Sequence, residues 1–134
     1  MRGASALQEV LTKDKNPLSV YVVWEPVLPT DWKSPGTGTL GRLFDRRVRQ
    51  FWDKEHLISA EMRKAAESYP SEIPVQRRRT NDKADGILWD AIAIFKPGAK
   101  WDTTMPVPKF LGGTVVKVIG DVEGQLSAAP RRNN

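Results

Sequence analysis

Leu18-Ser19-Val20-Tyr21-Val22-Val23-Trp24-Glu25-Pro26 is the stretch on which the reading of the fold turns. Its first seven residues are dense in β-branched and aromatic side chains and nearly continuous in apolarity. That is the pattern of a strand buried on both faces of a sheet covered by helices. Glu25-Pro26 closes it, because proline has no N–H for a ladder and pushes the residue before it out of the helical region. Upstream, Ala4 to Leu11 is rich in helix formers, and Ala6, Leu7, Val10 and Leu11 form one apolar stripe against Gln8, Glu9 and Lys13. Lys13-Asp14-Lys15-Asn16-Pro17 stops that helix.

Downstream, residues 26–41 hold Pro26, Pro29, Pro35 and three glycines and read as a long shaped loop, with Ser34-Pro35 able to open a short turn through Phe44. Asp45 is a better helix start: Val48, Phe51 and Trp52 follow at i, i+3, i+4, which predicts a helix over Asp45–Trp52. A second helix is expected from Ser59 to Tyr69. Residues 70–86, with Pro70, Pro74 and Arg77-Arg78-Arg79, read as an exposed, mobile connection that trypsin should cut first at the arginines. Ile87 to Phe95 is the second buried strand, closed by Lys96-Pro97-Gly98. Residues 99–113 read as a loop, Thr114–Ile119 as a third strand and Val122–Ala128 as a short last helix. The order α-β-α-(α)-β-β-α defines an α/β protein of two or three layers, one domain over residues 1–129 with a flexible tail at 130–134.

The chain has 134 residues, which suits one domain and rules out two, and its 40% hydrophobic content is enough for a real core. Twenty-one Lys and Arg against 16 Asp and Glu give a net charge of +5, which favours acidic partners without the density of a dedicated nucleic-acid module. The opening residues run into Gln8-Glu9 rather than an apolar leader, and there is no apolar stretch of membrane-spanning length, so a cytoplasmic protein is expected. Zero cysteines exclude disulfides, thiolate metal sites and thiol catalysis by this chain.

Several phrases carry a resemblance: Val22-Val23-Trp24-Glu25-Pro26-Val27-Leu28-Pro29-Thr30-Asp31-Trp32, then Phe51-Trp52-Asp53, Leu88-Trp89-Asp90, Pro97-Gly98-Ala99-Lys100-Trp101 and Gly112-Gly113-Thr114-Val115-Val116-Lys117-Val118. With the element order, they resemble a bacterial family of uncharacterised thioredoxin-like proteins, over Gly3 to Leu126. The resemblance implies a truncated thioredoxin-like fold. Such proteins carry Cys-x-x-Cys at the N-terminus of the first helix, where the helix dipole and backbone N–H groups lower the thiol pKa. Here the corresponding helix starts at Arg2-Gly3-Ala4-Ser5, so the chain is expected to begin just past that motif. The family's cis-proline has no counterpart either, since Asp85-Gly86 precede Ile87. The missing first strand would lie between Val20–Trp24 and Ile87–Phe95. These two strands then either pair directly or borrow an edge from a second copy, and a homodimer is expected that also covers Ala6, Leu7, Val10 and Leu11.

Few residues suggest chemistry. Trp24, Glu25, Asp31 and Trp32 flank a loop at the end of a central strand, where α/β folds place ligands, although loop closure and capping is the plainer reading. Asp90, a carboxylate inside an apolar run, invites a structural pair with Arg42 or Arg46 ahead of catalysis. His56, the one histidine, has no second ligand at metal spacing, so an exposed or capping role is expected and no metal. Trp52, Trp89 and Trp101 read as core. Arg46, Arg47, Arg49, Arg77, Arg78 and Arg79 are candidate anion contacts; the run Arg77-Arg78-Arg79 has no nearby aromatic-rich face and reads as a solvated loop, and nucleic acid is not the expected partner. No phosphate loop, dinucleotide fingerprint, nucleophile elbow or zinc-protease motif occurs, and no cofactor is expected. The reading is a non-catalytic thioredoxin-like interaction or binding module, with an acidic protein or other anion as a further partner. The alternatives are an enzyme using Glu25, Asp31 or Asp90, and a weak basic nucleic-acid binder.

Overall fold

The computed structural model describes residues 2–28, 30–67, 81–82 and 88–128. Within them the chain is mixed α/β, in the order α1 (Arg2–Lys13), β1 (Val20–Trp24), α2 (Thr37–Leu40), β2 (Val48–Trp52), α3 (Leu57–Glu67), β3 (Asn81–Asp82), β4 (Leu88–Trp89), β5 (Ala91–Ile94), β6 (Phe110–Gly113) and α4 (Val115–Ser127). The expected connection over 70–86, its arginine triplet and the tail at 130–134 lie almost wholly outside the described residues.

The strands form three separate pairs among the described residues: β1 with β2 in parallel, β3 with β4 and β5 with β6 antiparallel. The core is built around the last pair. In register, Ala93 lies opposite Leu111 and Ile94 opposite Phe110. Because successive side chains alternate across a strand, the pair is apolar on both faces. Ala93 and Leu111 pack with Met105, Phe95 and, from α3, Met62 and Ala65. Ile92, Ile94 and Phe110 pack instead against Val118, Ile119 and Val122 of α4. Helix, sheet and helix thus stack as three layers, and α1 lies along α4 with Val10 and Leu11 buried.

Four expectations are corrected. Residues 48–52 are a strand, not part of a helix. Val48, Phe51 and Trp52 fit helical spacing, but five residues also alternate as Val48, Gln50, Trp52 against Arg49 and Phe51, and pairing with β1 selects the strand. Thr114–Ile119 is not a strand; Val115, Val118 and Val122 are buried at i, i+3, i+7, and Gly120 and Gly124 fall on the exposed side of one helix. The strand precedes it, inside the segment read as loop. The apolar run before Phe95 is also two strands rather than one, because Asp90 sits at φ 55° and turns the chain from its β3 partner to its β6 partner. Lastly, Trp89 and Trp101 are 45% and 43% exposed and so are not core residues.

Candidate functional site

Glu25, at the end of β1, meets the start of α3. Its side chain is only 8% exposed. Glu25 Oε2 accepts from Ser59 Oγ at 2.6 Å and lies 3.3 Å from His56 Nδ1, while Oε1 accepts from the Ser59 backbone N–H at 3.3 Å. Ser59, 2% exposed, also accepts from the Leu88 N–H at 3.0 Å through Oγ, so one hydroxyl links β1, α3 and β4. Asp53 caps α3 from below, accepting from the Ile58 N–H at 2.8 Å. His56 precedes the helix at φ 58°. The Ser59 hydroxyl proton goes to the carboxylate and not to the imidazole, so the arrangement is a buried polar clasp and not a nucleophile with its base.

The other pocket candidates do not converge on it. Trp24 donates from Nε1 to Gln50 Oε1 at 2.9 Å, and Gln50 in turn donates to the Leu40 and Leu43 carbonyls, holding α2 and the residues after it on that face of β1 and β2. Asp31 Oδ2 accepts from the Leu28 and Val27 N–H groups at 2.9 and 3.2 Å and closes its own loop. Trp32 is 78% exposed. Asp90 pairs with neither Arg42 nor Arg46 among the described residues. Its carboxylate abuts the first turn of α1, where a Cβ added to Gly3 would lie 2.7 Å from Asp90 Oδ1. Burial pushes the Asp90 carboxyl up from its ordinary value.

The arginines divide. Arg47 is bound in place: it forks onto Asp45 at 2.8 and 2.9 Å and donates to the Leu11 and Asn16 carbonyls at the end of α1. Asp45 is thereby held well below the usual carboxylate range and Arg47 is raised above its ordinary value, each chiefly by the hydrogen bonds of the pair. A guanidinium so engaged is not an anion site. Arg46 and Arg49 are exposed, and Arg77, Arg78 and Arg79 lie outside the described residues. The sequence reading missed Gln8, buried on α1, whose Oε1 accepts from the Phe44 and Asp45 N–H groups. It also missed Ser59, whose partners are 29 and 34 residues away in the chain.

A shallow depression of about 270 Å³, lined by Arg2, Ser5, Ala6, Glu9, Arg42 and Val116, is smaller than ordinary small-molecule sites of roughly 300–1,000 Å³. No group of three or more histidine or acidic side chains among the described residues is arranged to hold a metal, and no described helix is long and apolar enough to cross a membrane.

Among the described residues, one edge of β1 has no strand beside it. Val20 donates to the Arg47 carbonyl and the Asp53 N–H bonds the Trp24 carbonyl, so the backbone groups of Val20, Val22 and Trp24 face β2. Those of Tyr21 and Val23 therefore point to the opposite edge, where no strand among the described residues pairs. A scan of protein-family models, a search of curated proteins and a search of solved structures each return no match to this chain.

Proposed function

We propose that the chain is a non-catalytic thioredoxin-like interaction module that works as a homodimer, joined along the edge of β1 that no described strand covers. The edge at Tyr21 and Val23, with no strand beside it among the described residues, is the observation that carries this reading. Two-stranded sheets are marginal alone, and an unblocked apolar edge is a template for another strand. A second copy meeting β1 antiparallel across a two-fold axis makes β2-β1-β1-β2, a four-stranded sheet with the same residues on both sides of the contact. The thioredoxin-like part rests on the quoted motifs, and the absence of catalysis on the lack of any cysteine and on the engagement of Glu25, Asp31 and Arg47 in structural bonds. The helix α1 stripe expected at the interface is not part of it, since Val10 and Leu11 are already buried within one chain.

Amide hydrogen exchange at two protein concentrations tests the edge. The Tyr21 and Val23 amides should become more protected as concentration rises, with Val22 unchanged. Protection at Tyr21 and Val23 that is independent of concentration would overturn the pairing.

A further inference from the structure

The outward face of the β1–β2 pair is distinct from its edge and has a different character. On the opposite face Trp24 and Gln50 are held under the residues of α2. On the outward face Tyr21 and Val23 stand beside Arg49 and Phe51, with Tyr21 in register with Arg49 and Val23 with Phe51. Tyr21 is 61% exposed and Phe51 51%, and their rings lie 6.3 Å apart, tilted by 30°. Exposed aromatic rings on a strand pair are costly to leave in water. Arg49, in register with Tyr21 and two residues before Phe51 on β2, is exposed beside them. Asp53, two residues beyond Phe51, accepts from the Glu55 and Ile58 amides.

We propose that this face binds single-stranded nucleic acid, with unpaired bases stacking on Tyr21 and Phe51 and a phosphate held by Arg49. The partner is chosen by charge and shape. A chain of net charge +5 with an exposed arginine on the same face as two accessible rings complements a polyanion whose bases are free to stack. A duplex hides its base faces and leaves only Arg49 to act. An apolar protein partner would have to bury Arg49 without a counter-charge, which is unfavourable. The proposal does not depend on the dimer, because it uses side chains on the face while the dimer uses backbone groups on the edge.

Fluorescence anisotropy of a labelled oligothymidylate of about ten nucleotides, at roughly 20 mM salt and above, tests it. The wild-type chain should bind saturably, and more tightly than it binds a duplex of similar length. Tyr21→Ala and Phe51→Ala should each weaken binding about tenfold or more, whereas Tyr21→Phe, which keeps the ring, should stay within about twofold. Arg49→Ala should lower the slope of log K against log salt by about 0.7. Circular dichroism of each variant checks that it is folded. No anisotropy change up to about 100 µM protein at low salt would overturn the proposal. So would equal affinity for the duplex, or alanine variants that bind like the wild type. A Tyr21→Ala variant that loses dimer mass without any wild-type affinity for the oligonucleotide would assign the face to a second copy instead.

Discussion

Ser59 is a small residue with a large share of the polar bonding around it. Its hydroxyl donates to a buried carboxylate and accepts from the Leu88 amide, so Ser59→Ala leaves both Glu25 and a backbone N–H short of a partner. Chemical denaturation should show a loss of about 1–3 kcal/mol. Asp90 behaves in the opposite sense. Burial raises its carboxyl pKa, so folding favours the neutral form: the resulting stability is fullest below the ordinary carboxylate pKa and declines as pH rises through the raised value. Asp90→Asn, neutral at every pH and at home at φ 55°, should remove that decline and leave the melting temperature at pH 7 equal or higher. Asp90→Ala should lower it, because alanine does not favour a left-handed backbone. A thermal scan of the three proteins from pH 3 to pH 8 by roughly one-unit steps separates these outcomes. The exceptional character of Asp90 was legible in the sequence as a carboxylate in an apolar run; its conformation was not, because the residues beside it, Gly3 and Val115, are far away in the chain.

At the scale of elements, Arg47 fastens the end of α1 to the entry of β2. Lysine can supply the charge but not the planar fork, so Arg47→Lys should recover only part of the melting temperature lost in Arg47→Ala. The pH dependence has a definite sign. Asp45 is depressed in the folded chain, so its contribution is complete above about pH 5 and fades as pH falls through the ordinary carboxylate range and below it. In Arg47→Ala that acid-side loss should shrink. β1 was readable because Val20–Trp24 carries its own β signal, and α1 because its stripe is long enough to show a period. β2 and α4 were misread for a common reason. Short runs with a few apolar residues satisfy both periods, and only the partner, β1 for one and Phe110 for the other, decides between them.

For the whole molecule, stability is concentrated around β5, β6 and α4. Phe110 is 2% exposed and touches α4 through Val118 and Val122, so Phe110→Ala should cost about 3–5 kcal/mol in an unfolding titration. The α/β class was legible from the alternation of apolar runs and helix-forming stretches. The division of the strands into separate pairs was not, since nothing local in Val20–Trp24 or Ala91–Ile94 states which strand stands beside it. Of the candidate site, the sequence marked Glu25 and Asp31 as notable carboxylates, and loop closure holds for Asp31 in its bonds to Val27 and Leu28. The Tyr21 and Phe51 pair was not visible because the two residues are brought together only by the parallel register.

Light scattering coupled to gel filtration reads whether two chains join along β1. One chain has a mass of 15.0 kDa. Across micromolar concentrations the wild-type protein should elute at about twice that mass. Val23→Pro removes an edge-facing N–H and none of the bonds of Val20, Val22 and Trp24 to β2, and it should return the mass to that of one chain. A wild-type mass that stays at 15.0 kDa over the same range would contradict the account.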